Sequence, residues 1–310
     1  MHGLAEGRTG TGTALRWLGW AGIGALVLGL AVNSAGPLWG EWHGDSSLSH
    51  APLVPFISAG LLWMRRDRLR DWSSASVGGA ALMCLAAFAH VLAVWADVVF
   101  LVPLSFIGLL LGLAWFLGGR DALRAAAGPI GFLVFLIPWP TTLVERLTFP
   151  MQLMSSTYAA LLGGLMGIPV HRVGVELAVV PNPAAPPVYS MVVAQKCSGL
   201  NSLTVLLALG YLIALFTPRG WGWKALLVAL VPPMALLCNA TRLTAVLVAG
   251  AWGRPGTAQW IHDNEGPLLI FLCSLGLMGV RHLILEYSQR RPRPPVSGEE
   301  DAQAVPVIGG

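Results

Sequence analysis

The chain has 310 residues, 55% of them hydrophobic and only 11% charged, and its mean hydropathy is +0.68. An ordinary soluble domain carries about 25% charged residues, so this composition excludes a cytosolic enzyme, a disordered chain and a nucleic-acid binder, and it describes an integral membrane protein. The formal net charge of +4 and the four irregularly spaced cysteines fit basic cytoplasmic loops better than a nucleic-acid footprint, and form neither a disulfide framework nor a CxxC metal pattern.

A helix needs roughly 20 apolar residues to cross the hydrocarbon core. In chain order the apolar runs predict spans at 15–32, 51–64, 77–95, 98–117, 126–139, 200–216, 224–250 and 266–286. The fold class is therefore an all-α polytopic membrane protein with about eight transmembrane helices. Arg8 ahead of the first span and Arg16 at its start also suit a cleaved signal peptide, but no small-x-small site follows, so a retained span is expected. One membrane domain over 15–287 is expected between a disordered cytoplasmic N-terminus, 1–14, and a disordered cytoplasmic tail, 288–310.

With the N-terminus in the cytoplasm, 14 of the 19 basic residues fall on the cytoplasmic side, as the positive-inside rule asks. That split requires the further apolar stretch 150–168 not to cross. It is read as an interfacial or re-entrant helix at the outer face, consistent with its Gln152, Ser155, Ser156, Thr157 and Tyr158 cluster. Next, Val170, Val173, Val175, Leu177 and Val179 have strand character, and Val188 to Val193 return after Pro181-Asn182-Pro183. The expectation is a small extracytoplasmic β-hairpin leading to Cys197.

Three residues carry possible chemistry. Cys197 stands between Lys196 and Ser198-Gly199, just before an apolar helix. A helix N-terminus and a neighbouring ammonium both favour thiolate. Cys84, Cys238 and Cys273 lie inside apolar helices and read as inert. Arg242 lies within a long apolar segment, where arginine is expensive and usually functional; Asn239, one helical step below, is placed to orient it. His262 precedes the last span, with Asp263, Asn264 and Glu265 beside it. These acidic neighbours lack a second histidine at ligand spacing, so neither a metal nor another cofactor is expected. A thiol, a guanidinium and an imidazole at helix ends on one face are the parts of an acyl-transfer site. Asp45 and His50, on the first outer loop, are supporting candidates.

These residues resemble the exosortase/archaeosortase family of membrane cysteine transpeptidases over 39–286. The likeness begins with Trp42-His43-Gly44-Asp45-Ser46-Ser47-Leu48-Ser49-His50 and LVPFISAGLLWMRR. It continues through FLVFLIPWPTTLVERLTFPMQLMSS and GIPVHRVG, then Cys197-Ser198-Gly199-Leu200, Asn239-Ala240-Thr241-Arg242 and His262. The family's Cys, Arg and His map onto Cys197, Arg242 and His262. Many members have Gly-Trp shortly after the histidine, where this chain has Gly266-Pro267. The resemblance implies a bacterial inner-membrane protease or transpeptidase with its site facing the periplasm, often associated with exopolysaccharide systems. Its partners would be the lipid bilayer, an unknown acceptor nucleophile, and exported proteins bearing a C-terminal sorting signal: a Pro-Glu-Pro-type motif, a transmembrane helix and a basic cluster. The competing expectation is a non-proteolytic component of polysaccharide assembly or transport. Serine, glutamate and zinc intramembrane proteases are disfavoured, because the chain has no Gly-x-Ser-x-Gly and no HExxH.

Overall fold

A computed structural model describes Gly29, Val32 and residues 50–69, 76–194, 199–264 and 266–290. The first expected span, both terminal segments and Asp45 thus lie outside the described residues, save for Gly29, Val32 and the end of the last helix at 288–290. The helices are α1 (Val54–Met64), α2 (Val77–Trp95), α3 (Leu101–Gly131), α4 (Thr141–Leu165), α5 (Leu200–Leu215), α6 (Trp221–Ala229), α7 (Val231–Ala251), α8 (Pro255–Asn264) and α9 (Gly266–Arg290). Between α4 and α5 runs an antiparallel sheet of β1 (Val170–Val173), β2 (Glu176–Val179) and β3 (Tyr189–Val192), in that order.

Four described stretches are long and apolar enough to cross a membrane: Val77–Trp95, Leu101–Leu136, Trp221–Ala251 and Ile270–Tyr287. Ala51–Met64 and Ser202–Leu215 are shorter apolar helices. The described residues do not confirm the expected count of about eight spans, the first of which lies outside them, and glycine and proline set the boundaries that are seen. The spans expected at 98–117 and 126–139 fall in one long stretch that a kink divides into two helices. Its backbone leaves helical angles at Gly118 and at Gly119, where φ is +66°. Past Gly131 it tightens into a 3-10 turn, Phe132–Leu136. The span expected at 224–250 is divided at Leu230, because Pro232 and Pro233 bring no N–H and suit only the first turn of a new helix.

The helix packing depends on small residues, which let backbones approach where lipid supplies no driving force. Helices α2 and α3 run antiparallel. Gly79 lies against the Phe116 backbone, and a β-carbon at Gly112 would stand 2.8 Å from the Met83 nitrogen. Further along, the Ser105 hydroxyl donates to the Val102 carbonyl (2.7 Å) and lies 3.0 Å from Nδ1 of buried His90. With the hydroxyl hydrogen committed to Val102, the histidine nitrogen is the donor. Pro129 inside α3 cannot donate to the Ala125 carbonyl four residues back. The Arg65 guanidinium donates there instead, at 2.9 Å. One apolar core joins Val54, Ile107, Ala126, Ile130, Phe132, Leu133, Ile137 and Ala208.

The second half of the fold carries the candidate site. The stretch expected as a separate interfacial helix, 150–168, is the latter part of α4, a continuous helix from Thr141 to Leu165. It lies parallel to α7: Asn239 Nδ2 donates to Ser155 Oγ at 2.9 Å, and Thr244 Oγ1 reaches the Ala159 carbonyl one turn higher at 3.5 Å. The expected hairpin has a third strand. Gly174, with φ +62°, supplies the left-handed turn that divides 170–179 into β1 and β2. Leu177, Val179 and Val193 then pack with Ala159, Leu243 and Leu247. The polar cluster on α4 serves this sheet. Gln152 donates to the Val193 carbonyl (2.7 Å), and the Ser156 hydroxyl lies 3.1 Å from the Gly174 carbonyl.

Candidate active site

Strand β3 rests directly on α7. The Tyr189 ring crosses Gly250, where any β-carbon would overlap it, and Tyr189 and Met191 pack against Val246, Ala249 and Ala258. Burial pushes the Tyr189 phenol above its ordinary pKa, so it stays neutral at physiological pH. The strand therefore leaves the sheet pinned beside the upper half of α7. Cys197 and Ser198 follow it in the chain and lie outside the described residues.

The described chain resumes at Gly199, the N-cap of α5, with φ +88°. A β-carbon here would stand 3.0 Å from the Asn239 β-carbon and 3.1 Å from its Cγ. The site thus needs glycine twice, for its left-handed backbone and for its contact with a buried asparagine held by Ser155. Gly199→Ala is expected to lower stability by about 1–2 kcal/mol from the backbone term alone, with Asn239 displaced in addition. A thermal-shift series on the purified protein checks this; a variant as stable as wild type would show that the Asn239 contact yields freely.

Asn239 and Arg242 are three residues apart on α7, so they share one side of the helix. Arg242 is half-buried. Above it, the chain turns at Gly253 (φ +64°), the Arg254 N–H bonds to the Ala249 carbonyl at 3.1 Å, and α8 folds back along α7. Ala258 is fully buried against Val246 and Ala249. His262 occupies the position one turn further along α8, back toward the level of Arg242. The segment around His262, which precedes the last expected span, is a helix; the side chain of His262 lies outside the described residues. Helix α9 continues in the same direction along the lower half of α7, with Gly276 against Met234, and Leu277 in one core with Val231 and Leu206. The start of α5 therefore meets the Asn239–Arg242 turn, which lies midway along α7 and not at a helix end as the sequence suggests.

His50 stands where the chain enters α1. It caps the 3-10 turn Ala51–Leu53 leading into α1, and α1 packs on α3, where Ser58 donates to the Pro129 carbonyl at 2.8 Å. Of the three cysteines that read as inert, Cys238 is buried, Cys273 half-buried and Cys84 exposed on α2. Among the described residues, no group of three or more His, Cys, Asp or Glu is arranged to hold a metal. Ser155, Tyr189 and Gly250 were not singled out as site residues. The signal for Ser155 was present, since a serine pair inside an apolar helix needs an interior partner.

A family model described as transmembrane exosortase matches residues 39–279. No curated protein and no solved structure matches the chain.

Proposed function

The chain belongs to the transmembrane exosortase family, and on that premise we propose that it is a cysteine-type processing enzyme of the bacterial inner membrane. Its site faces the periplasm and cleaves C-terminal sorting signals of exported proteins. The observation that carries this reading is the contact of Gly199 with Asn239, on the side of α7 that bears Arg242. Cys197 is two residues before Gly199, and covalent geometry limits that separation to roughly 7 Å. The return of α8 along α7 supports His262 as the third member.

The chemistry follows from the residue types. The Cys197 thiolate attacks the scissile carbonyl, the new C–S bond forms, and the carbonyl electron pair moves to oxygen. Arg242 donates hydrogen bonds to that oxyanion. The intermediate collapses to a thioester as the C–N bond breaks, and His262 protonates the departing amine. His262 then takes a proton from an acceptor nucleophile or water, which attacks the thioester and releases the thiolate. Asn239 positions the Arg242 turn through Ser155, and Ser198 and Gly199 shape the backbone beside the thiol. Asp45 and His50 support the site from the first outer loop. A substrate helix lying beside the bundle would hold its motif at the site, making the attack nearly unimolecular.

The test pairs the chain with a tagged reporter ending in a sorting signal from the same genome. The expected result is a shortened reporter whose new C-terminal mass identifies the acceptor or shows simple hydrolysis. Failure with every such signal would return the chain to the reading of a non-proteolytic membrane component.

A further inference from the structure

An apolar groove of about 560 Å³ runs between the C-terminal part of α4 and the outer side of α7, ending under α8. Leu165 and Met166 form one wall, and Ala245 and Val248 the other. Exposed Thr241 marks the end toward Arg242, its hydroxyl turned back to the Leu237 carbonyl at 2.9 Å. At the other end stand Trp252, Arg254 and Thr257. All three are exposed, and Arg254 forms no ion pair among the described residues.

We propose that this groove holds one acyl chain of a phospholipid, in the leaflet at the C-terminal end of α7, with the headgroup phosphodiester on Arg254 and Thr257. Length supports this first. Eleven residues separate Thr241 from Trp252, a helical rise of about 16 Å, while one leaflet contributes about half of a roughly 30 Å hydrocarbon core. Volume is compatible with this occupant, since about 560 Å³ accommodates a single alkyl chain. Charge agrees, because a free guanidinium beside a hydroxyl is suited to a phosphodiester. Trp252 stands at the same end, as aromatic side chains do at the membrane interface. Since Thr241 adjoins Arg242, the bound chain would close the lipid-facing flank of the proposed active site.

The test uses the full chain in mild detergent, stripped of lipid and titrated with phosphatidylglycerol, with bound lipid counted by native mass spectrometry. One lipid per chain is expected. Ala245→Trp, which fills the groove, is expected to remove it. Arg254→Ala, at an exposed position that leaves the fold intact, is expected to weaken it about tenfold, and Arg254→Lys to weaken it less. Leu85→Trp, on the exposed side of α2, serves as the control and is expected to bind as wild type does. Equal binding by wild type, Ala245→Trp and Arg254→Ala would overturn the proposal. Loss with Ala245→Trp but not with Arg254→Ala would overturn the headgroup assignment. Lipid retained by Ala245→Trp while reporter cleavage fails would assign the groove to the substrate's apolar segment instead.

Discussion

Cys197→Ala is expected to abolish reporter processing, with turnover falling by roughly 10⁴–10⁶-fold, the range seen when a hydrolase loses its nucleophile. The expectation is this large because nothing else described near the site replaces a thiolate. Ser155 is fully buried, and its hydroxyl lies 2.9 Å from Asn239 Nδ2. Cys238 is buried on α7. Cys197→Ser gives the sharper comparison. A serine hydroxyl is almost wholly protonated near neutral pH, and neither a helix N-terminus nor Lys196 lowers its pKa enough to matter, so the serine variant is expected to be nearly as inactive as the alanine. The measurement is the ratio of cut to uncut reporter at equal membrane levels of enzyme. Processing retained by Cys197→Ala would remove the thiol from the mechanism. A serine variant close to wild type would point to a general base strong enough to activate a hydroxyl, which would enlarge the role assigned to His262.

The contrast between Cys197 and the α8 segment explains what was legible before the fold was known. Membrane character follows from composition, because so few charges cannot cover a soluble surface. Chemistry-bearing residues stand out in an apolar chain for the same reason: Arg242 within α7 has few innocent explanations. Helix α8 was illegible because Pro-Gly-Thr-Ala-Gln-Trp-Ile-His-Asp-Asn has weak helix propensity. Its conformation comes from burying Ala258 and Ile261 against α7, a tertiary effect that overrides local preference. The third strand was missed because Val170 to Val179 reads as one β-branched run, and the lone Gly174 that folds it offers little signal. The polar positions on α4 suit an interfacial or re-entrant helix by sequence, yet Ser155 and Ser156 are fully buried. What they bind, Asn239 and the β1–β2 turn, lies far away in sequence.

Arg242→Ala is expected to lower processing by about 10²–10³-fold, the usual loss for one oxyanion donor, while leaving the protein folded. Arg242 is half-buried rather than enclosed, and the structural contact of that helical turn is made by Asn239 with Ser155 and Gly199. Arg242→Lys is expected to recover little, because an ammonium on a flexible stem cannot present the planar set of donors that a guanidinium offers. Loss of activity alone would not separate two roles for this side chain. As an oxyanion donor it acts only once the carbonyl is attacked, so the rate of Cys197 alkylation by iodoacetamide should keep its wild-type pH midpoint in Arg242→Ala. As a partner of the resting thiolate, its removal would raise that midpoint, since an opposite charge nearby favours the ionised thiol. The expected combination is slow processing with an unmoved midpoint. A raised midpoint would transfer Arg242 to thiolate stabilisation and leave the oxyanion to backbone N–H groups near the start of α5. Wild-type processing by Arg242→Ala would remove the guanidinium from the reaction altogether, and with it the reason for so costly a residue midway along α7.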